Sequence, residues 1–486
     1  MGRRVLFGFV AVAAVAGLSA GVAVARDPVE DGDAPPAQPT TTTIPRGRPS
    51  AGAPDVGDPY YPSLGNGGYD VSAYRLELAW APSTERLDGV ATIRAVATQW
   101  LSSFDLDLVG LDVEDVLVDG EPAEVRRRGE RELVIVPSRT VMRDEVFTVE
   151  VTYGGTPGRL GDRAGVLRPG WMADDEGEVH VIGEPDGAST FFPVNDHPRD
   201  KATYEFLVTV PEGLEVAANG VLVGTERAPR GHRTWSYEAD DPMASYLVQV
   251  VIGNLRFEES TGPDGLTIRH AIDEDVPEDA VGALDRTADM IEGYEEMFGP
   301  YPFAAYGVAV VDRPLGVALE TQTLSLVGLD SVGREGVLAH ELAHQWFGDE
   351  VSPGSWRDIW LNEGFATYAE WLWTESDGGP SVATRARQVA LDGGLDLPPG
   401  DPGPEDLFDD SVYLRGALTL HVLRHELGDE AFFDLLRAWI ERYAGRSATS
   451  ADFEGMASVA AGRDLTPLFD AWLRSPTLPD LAEWLD

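Results

Sequence analysis

Alternating apolar and polar residues characterise the first half of the chain. The alternation is clearest in four segments separated by clusters of Gly, Pro and Asp, namely residues 74–78, 91–95, 147–151 and 204–210. Because successive side chains of a strand point to opposite faces, a period of two predicts strands with one buried and one solvated face. No helical segment interrupts them, so we expect an antiparallel sheet domain.

The spacing of apolar residues becomes helical after about residue 262. Residues 278–298 carry apolar side chains three and four positions apart, which is the spacing of one helix face. Strands are predicted next at residues 306–311 and, at a sheet edge, at residues 318–327. Helices are predicted over residues 331–347, 362–373, 413–427, 429–444 and 450–461. The change of pattern predicts a domain boundary near residues 255–265.

The first 58 residues follow neither pattern. Arg3 and Arg4 precede an uncharged stretch that ends in Ala-Val-Ala at residues 23–25, which is the arrangement of a secretory signal peptide. The stretch is also long enough for an uncleaved membrane anchor, and both interpretations place the rest outside the cytoplasm. The following residues are rich in Pro and Thr, which predicts a disordered linker. Four segments result: a signal peptide or anchor (1–25), the linker (26–58), a sheet domain (59–260) and a helical domain (261–486).

Composition and charge exclude several kinds of chemistry. The 486 residues include no cysteine, so disulfides, thiolate zinc sites and cysteine nucleophiles are excluded, and a metal site must use His, Asp and Glu. The formal net charge of -46 repels nucleic acid and anionic lipid, so we expect neither as a partner. The acidity either serves solubility or favours cationic peptides, and both interpretations stay open.

His340 and His344 lie four residues apart in a predicted helix. Side chains at this spacing project from one helix face, so both imidazoles can reach one metal ion. Glu341 lies about 100 degrees round the helix from His340, where it can take a proton from water on the metal and deliver it to a leaving amine. A catalytic zinc site needs a third protein ligand, and Glu363, at the start of the next predicted helix, is the candidate.

Two further carboxylates, Asp349 and Asp358, lie between the zinc-ligand candidates in sequence. Each could orient a ligand imidazole by accepting a hydrogen bond from its second ring nitrogen. Each could equally be an ordinary acid of a loop or a helix end. The sequence leaves both interpretations open.

The segments His-Glu-Leu-Ala-His-Gln-Trp-Phe-Gly, from His340, and Trp-Leu-Asn-Glu-Gly-Phe-Ala-Thr-Tyr, from Trp360, resemble the gluzincin metallo-aminopeptidases typified by aminopeptidase N. Their zinc motif is His-Glu-x-x-His, eighteen residues and a Glu. The resemblance spans residues 69–486 and implies one zinc ion. It implies an α+β multidomain fold, with a saddle-like antiparallel β-sheet domain before a thermolysin-like, mainly helical zinc-peptidase domain. Because the chain ends soon after those helices, the large C-terminal helical domain of many relatives is expected to be absent or reduced.

Three other segments resemble parts of the family pattern with departures. Residues 316–322, Gly-Val-Ala-Leu-Glu-Thr-Gln, resemble its Gly-x-Met-Glu-Asn strand, which implies that Glu320 binds the free amino terminus of the substrate. Residues 183–198 resemble the segment that carries a second amine-binding acid or amide, which implies this role for Glu184, with an exposed turn acid as the alternative. Residues 411–421 resemble the helix whose tyrosine stabilises the oxyanion, which implies this role for Tyr413.

Together these residues predict a secreted or surface-anchored zinc aminopeptidase that acts on peptides or small proteins with a free N-terminus. The edge strand at residues 318–327 could pair with the substrate backbone. One alternative is a zinc endopeptidase of the same superfamily, which an unpaired carboxylate at Glu320 disfavours. The other is a non-catalytic peptide-binding ectodomain with a structural metal, which would not need Glu341. The sequence does not specify the oligomeric state or the preferred first residue.

Overall fold

The computed structural model describes residues 48–161 and 168–479. The predicted signal peptide or anchor and most of the predicted linker lie outside these residues. Residues 48–58, predicted as linker, instead belong to the compact unit of the chain, since Ser50–Ala51 pairs with a strand and Asp58 is 2% exposed. In the described parts of the chain, no helix is long and apolar enough to cross a membrane.

Sixteen strands make up the described residues before Asn254. In chain order they are β1 (Ser50–Ala51), β2 (Tyr69–Ala81), β3 (Arg86–Ala97), β4 (Leu101–Asp107), β5 (Asp112–Val118), β6 (Glu121–Pro122), β7 (Glu124–Arg128), β8 (Glu132–Val136), β9 (Val146–Gly155), β10 (Gly170–Ala173), β11 (Val179–Ile182), β12 (Lys201–Pro211), β13 (Glu215–Ala218), β14 (Val221–Ala228), β15 (His232–Ala244) and β16 (Val250–Gly253).

These strands form three sheets. The largest has eight strands in the order β14-β15-β12-β2-β3-β9-β5-β6, and the four-stranded sheets have the orders β1-β4-β8-β7 and β10-β11-β16-β13. Pairing is antiparallel except between β2 and β12 and between β1 and β4. β12 follows β2 only after several intervening strands, so no hairpin forces the two to run in opposite directions.

The predicted alternation of buried and exposed residues is confirmed in the largest sheet. Along β2 the side chains of Tyr74, Leu76 and Leu78 are buried, while the residues between them are exposed or half-buried. The neighbouring strand β12 does the same, and its Tyr204 ring stacks on Tyr74 with 4.9 Å between the ring centroids. One face of the sheet therefore forms a core, as period-two patterning requires.

The rest of the described chain is mainly helical. Its strands are β17 (Leu255–Thr261), β18 (Thr267–Asp273), β19 (Ala305–Tyr306), β20 (Val308–Val311), β21 (Ser325–Gly328), β22 (Val351–Pro353) and β23 (Arg446–Ala448). Its α-helices are α1 (Thr287–Phe298), α2 (Glu335–Ala343), α3 (Trp360–Ser376), α4 (Val382–Asp392), α5 (Gly416–Leu427), α6 (Asp429–Tyr443), α7 (Ser450–Ala461) and α8 (Thr466–Phe469). β17, β18, β20 and β21 form a sheet in that order, with β19 beside β18.

The predicted edge strand at residues 318–327 is wrong over most of its length. Only Ser325–Gly328 is a strand, and Leu319 forms a single bridge to Leu326. The chain reverses between these two residues, where Leu324 donates its N–H to the Thr321 carbonyl at 2.9 Å. A turn at this position leaves no continuous strand edge with which a peptide could pair along residues 318–327.

Helix α3 lies at the centre of the helical part. It is buried along almost its whole length because apolar or small residues occupy every side, and it packs against α2 and α5. A helix that is apolar all round is stable only inside other elements. This burial fixes the position of the residues in its first turn, which include Glu363.

Candidate functional site

The predicted zinc ligands meet at the point where α2 packs on α3. His340 lies in the last turn of α2 and His344 follows directly after it, so their rings lie side by side with centroids 4.8 Å apart. Oε2 of Glu363 lies 3.3 Å from Nε2 of His340 and 3.5 Å from Nε2 of His344. Two imidazoles and a carboxylate converging in this way are the ligand set of a catalytic zinc site, so the residues fit that ion.

The second ring nitrogen of each histidine faces an oxygen atom, and that of His344 forms a hydrogen bond with it. Nδ1 of His344 donates to the backbone carbonyl of Phe347 at 3.0 Å, which leaves Nε2 free to bind a metal. Nδ1 of His340 faces Oε2 of Glu370 at 4.0 Å. No motif in the sequence indicates a role for Glu370, although its place two helical turns after Glu363 puts both carboxylates on one face of α3.

Two predicted carboxylate partners of the histidines are placed differently. Asp358 accepts hydrogen bonds from the hydroxyl groups of Ser355 and Ser450, at 3.1 and 2.6 Å, and so holds the start of α7 instead of an imidazole. Asp349 is fully buried close to His344, but that imidazole already donates to Phe347. Of the two interpretations for Asp358, the structure therefore supports the acid at a helix end and not the orienting role, and no imidazole donates the predicted hydrogen bond to Asp349.

Glu341 lies in the cleft beside the ligands and is 5% exposed. Burial raises the pKa of its carboxyl to about 7, although the neighbouring imidazoles of His340 and His344 oppose the rise. A carboxyl with a pKa near neutrality can both accept and return a proton, which is what a general base and acid requires.

Glu184 and Glu320 come together although 136 positions separate them in the chain. Glu184 follows β11, Glu320 lies between β20 and β21, and one carboxylate oxygen of each lies within 4.8 Å of the other and of Glu363. Burial, and then the charge of Glu320, raise the pKa of Glu184 well above its ordinary value. Within the described residues, Oε1 of Glu184 and Oε1 of Glu320 have no hydrogen-bond partner. This arrangement favours a bound cation.

Tyr413 lies beside His340, in a single π-helical turn, Ser411–Arg415, that leads into α5. Its ring is nearly parallel to the His340 ring, with 6.0 Å between centroids. Burial, followed by the charge of Glu363, raises the pKa of the phenol well above its ordinary value, so the hydroxyl stays protonated and can donate. Arg415 fixes the turn because its buried guanidinium donates to the carbonyls of Trp472 and Leu395, at 2.7 and 3.1 Å.

The site lies in a cleft of about 430 Å³. The zinc-ligand candidates, Glu341, Glu184, Glu320 and Tyr413 line it. Apolar side chains complete the wall, namely Val317, Leu319, Phe408 and Leu414. The cleft thus combines a metal-binding triad, a buried base, a phenol donor and two carboxylates, with apolar surface beside them for a side chain.

Comparison with protein families assigns both parts of the chain. Residues 71–247 match the family described as Peptidase M1 N-terminal domain, and residues 283–393 match the Peptidase family M1 domain. Aminopeptidase N of Streptomyces lividans is 28% identical over 445 residues, which are 83% of this chain and 50% of the relative. Aminopeptidase B of Rattus norvegicus is 26% identical over 462 residues, 82% of this chain and 68% of the relative. The chain spans about half the length of several of the curated relatives it matches.

Solved structures match over nearly their full length. An M1 zinc metallopeptidase from Deinococcus radiodurans is similar with a TM-score of 0.82 and 34% identity, covering 88% of this chain and 98% of that one. A variant of the Deinococcus radiodurans enzyme bound to a Tyr-Ser-Ala substrate is similar with the same TM-score and 33% identity, covering 88% of this chain and 99% of that one.

Proposed function

The chain belongs to peptidase family M1, and from this premise we propose that it is a zinc-dependent aminopeptidase that removes N-terminal residues from peptides outside the cytoplasm. The observation that carries the proposal is the pair Glu184 and Glu320, which lies in the same cleft as the zinc-ligand candidates. Two buried carboxyls that face each other can both be ionised only when a cation lies between them, since otherwise one of them keeps a proton. The ammonium group of a peptide N-terminus supplies that cation.

The distance between the amine site and the metal site determines which bond is cut. Glu363 belongs to both groups of converging residues, since one of its oxygens lies within 4.8 Å of ligand atoms of His340 and His344 and of Glu184 and Glu320. An ammonium held by the two glutamates therefore places the first peptide bond next to the metal. An internal segment of a longer peptide substrate carries no ammonium group to neutralise this buried pair, so the site disfavours an endopeptidase.

The residues of the cleft divide the chemistry of hydrolysis among them. When bound, a zinc ion supplies a Lewis acid that polarises the scissile carbonyl and acidifies water. Glu341 takes the proton of the attacking water and delivers it to the leaving amine, as its pKa of about 7 permits. Tyr413, protonated and facing the same cleft, donates a hydrogen bond to the oxygen on which negative charge develops.

The proposed peptide substrates and the proposed location outside the cytoplasm rest on separate observations. The structurally similar Deinococcus radiodurans variant binds Tyr-Ser-Ala, a peptide with a free amino terminus. The location rests on the basic, apolar and Ala-Val-Ala sequence of residues 1–25 alone. Digestion of intact native cells with an added protease, together with mass spectrometry of the protein in their medium, would test the location, with a protease-accessible chain or an N-terminus at Arg26 as the expected result.

A pair of substrates tests the aminopeptidase assignment. We expect the zinc-loaded protein to hydrolyse an aminoacyl 4-nitroanilide with a free amino group and to leave its N-acetylated twin intact, because acetylation removes the charge that Glu184 and Glu320 bind. Cleavage of both compounds at similar rates would support an endopeptidase instead. A protein that binds zinc and cleaves neither would support a peptide-binding ectodomain.

Glu341→Gln tests the assigned base. Because the amide keeps the size of the side chain but cannot accept the proton, we expect kcat to fall by about 10²- to 10⁴-fold. The zinc content should stay at one ion per chain, since His340, His344 and Glu363 are unchanged. Activity near that of the wild type in this variant would show that another group takes the proton.

A further inference from the structure

Glu320 belongs to a short turn whose shape is constrained from several sides. Leu319 and Leu326 exchange two backbone hydrogen bonds at the start and end of the turn, at 2.9 and 2.8 Å. Between them Thr323 adopts a φ of 67°, a left-handed conformation that a β-branched residue rarely adopts. Such a conformation persists only where surrounding contacts hold it. The contacts of this turn therefore determine where Glu320 lies.

The side-chain amide of Gln345 makes the most direct of these contacts. Its Nε2 donates to the backbone carbonyl of Glu320 at 3.0 Å, and its Oε1 accepts the backbone N–H of Thr323 at 2.8 Å. Oε1 also accepts a hydrogen bond from the hydroxyl of Tyr301 at 3.2 Å. Gln345 is 0% exposed, so water cannot replace these bonds. The amide thus binds the turn at two points, Glu320 and Thr323.

Gln345 directly follows the zinc-ligand candidate His344 in sequence. The His344 ring is itself fixed by its hydrogen bond to the Phe347 carbonyl. The turn that carries Glu320 is therefore joined to the metal site through one side chain and one peptide bond. The sheet part of the chain holds the far side of the turn, where Asn219 donates to the Gln322 carbonyl at 2.6 Å.

Glu320 needs such a link because its carboxyl is buried beside two others. Its carboxylate is buried and lies within 4.8 Å of the carboxylates of Glu184 and Glu363. Where these groups are ionised, like charges at this distance repel each other before a substrate cation arrives, and the imidazoles of His344 and His340 offset only part of that repulsion. A turn without a fixed backbone would relax by moving Glu320 away from Glu184, and the amine site would lose its distance from the metal.

We propose that Gln345 is a positioning residue that sets the distance between the amine-binding carboxylate of Glu320 and the zinc site, and thereby the selection of a free N-terminal residue. The proposal rests on the aminopeptidase function proposed above. It assigns to Gln345 a role in selectivity that acts through Glu320, without contact with the substrate.

Three variants separate this role from ordinary stability. Gln345→Met keeps the volume and removes all three hydrogen bonds. Gln345→Glu keeps an acceptor for Thr323 and Tyr301 and, when its carboxyl is ionised, removes the donor to Glu320. Asn195→Leu is the matched control, because the buried amide of Asn195 binds the N–H and the carbonyl of Asn66, at 2.5 and 3.2 Å, within the sheet part.

The measured quantity is the preference for the ammonium group, taken as the ratio of kcat/KM for leucine 4-nitroanilide to that for its 2-hydroxy analogue. A misplacement of about 1 Å costs about 100-fold in rate, so we expect Gln345→Met to lower the free-amine kcat/KM by about that factor and the preference by about tenfold or more. Gln345→Glu should behave in the same way, because it also releases the Glu320 carbonyl. Zinc content should stay unchanged in both.

The outcomes distinguish the two proposals. If the wild type shows no preference for the free amine, the aminopeptidase function itself is wrong. If the wild type shows it and Gln345→Met keeps it while melting at a lower temperature, as we expect of Asn195→Leu, the positioning role is overturned.

Discussion

At the residue scale, the imidazole of His340 depends on a carboxylate behind it. Oε2 of Glu370 lies 4.0 Å from Nδ1 of His340, beyond hydrogen-bonding distance, and its negative charge favours the tautomer that carries a proton on Nδ1. This tautomer presents the lone pair of Nε2 towards Glu363 and the metal position. Partners of this kind orient the ligand ring and increase its basicity.

We expect Glu370→Ala to weaken zinc binding by about tenfold, the lower end of the effect of removing a hydrogen-bonded partner, because Glu370 acts across 4.0 Å. Competition with a chromophoric chelator measures this affinity directly. Asp358→Asn is the control, because Asp358 binds Ser355 and Ser450 at the start of α7 and not a histidine. It should lower the melting temperature and leave zinc affinity unchanged. Weaker zinc binding by Asp358→Asn, with unchanged zinc binding by Glu370→Ala, would instead assign the orienting role to Asp358.

The sequence could predict the ligands of the metal more easily than their supports. Helical spacing alone places His340 and His344 on one face, so their convergence follows from local geometry. The partner of each second ring nitrogen depends on competition among nearby acceptors. For His344 the acceptor is the backbone carbonyl of Phe347, which no pattern of side chains reveals. Asp349 therefore does not receive the hydrogen bond predicted for it.

At the element scale, α3 and α5 cross at a pair of glycines. A Cβ atom built on Gly364 would lie 2.9 Å from Cα of Gly416, and one built on Gly416 would lie 2.8 Å from Cα of Gly364. The two backbones therefore approach more closely than any side chain permits. Glu363 precedes one glycine and Tyr413 lies three residues before the other, so this crossing determines the distance between a zinc ligand and the phenol donor.

We expect Gly364→Ala to separate the helices and to destabilise the protein by about 1–3 kcal/mol, as overpacking of a close contact does. Activity should fall further than stability requires, since Glu363 moves with the helix. Urea unfolding and kcat at a temperature where both proteins are folded measure the two effects. Gly455→Ala in α7 is the control, because its Cβ would meet nothing within 4 Å, and it should stabilise the protein by about 1 kcal/mol. Equal effects of the two substitutions would contradict this account.

The elements that were predicted well are those whose pattern reflects burial over many residues. Strand β12 and helix α7 follow the predicted segments closely, the latter at residues 450–461 without change. The strand predicted at 318–327 is wrong because the chain turns there, and tertiary contacts hold the turn, with Thr323 bound to Gln345 and to Gly220. Local propensity contains no information about such contacts.

At the scale of the whole molecule, the cleft joins residues from both parts of the chain. Glu184 comes from the part that matches the M1 N-terminal domain, whereas Glu320 and the metal ligands come from the part that matches the M1 peptidase domain. Lys201, the single lysine of the chain, also bridges these parts, since its ammonium donates to the backbone carbonyls of Asp349 and Glu350. Periodicity could not predict these contacts, and for Glu184 only the family resemblance indicated a role.

The formal net charge of -46 gives the molecule a field that reaches beyond the cleft. The exposed acids Asp330 and Asp410 lie among the residues of the cleft and add to it locally. If this field selects substrates, it increases the rate at which cationic peptides arrive, and salt removes the advantage as the Debye length falls from about 30 Å at 0.01 M to about 3 Å at 1 M.

We therefore expect kcat/KM for a peptide with arginine at its second and third positions to fall by about tenfold or more across this range of salt, since steered association can exceed the unsteered rate by 10- to 10³-fold. The matched peptide with glycine at these positions keeps only the charge of its amino terminus, so its kcat/KM should change much less. Steady-state kinetics at several concentrations of NaCl compare the two. The same dependence on salt for both peptides would mean that the acidity acts on solubility and not on the choice of substrate.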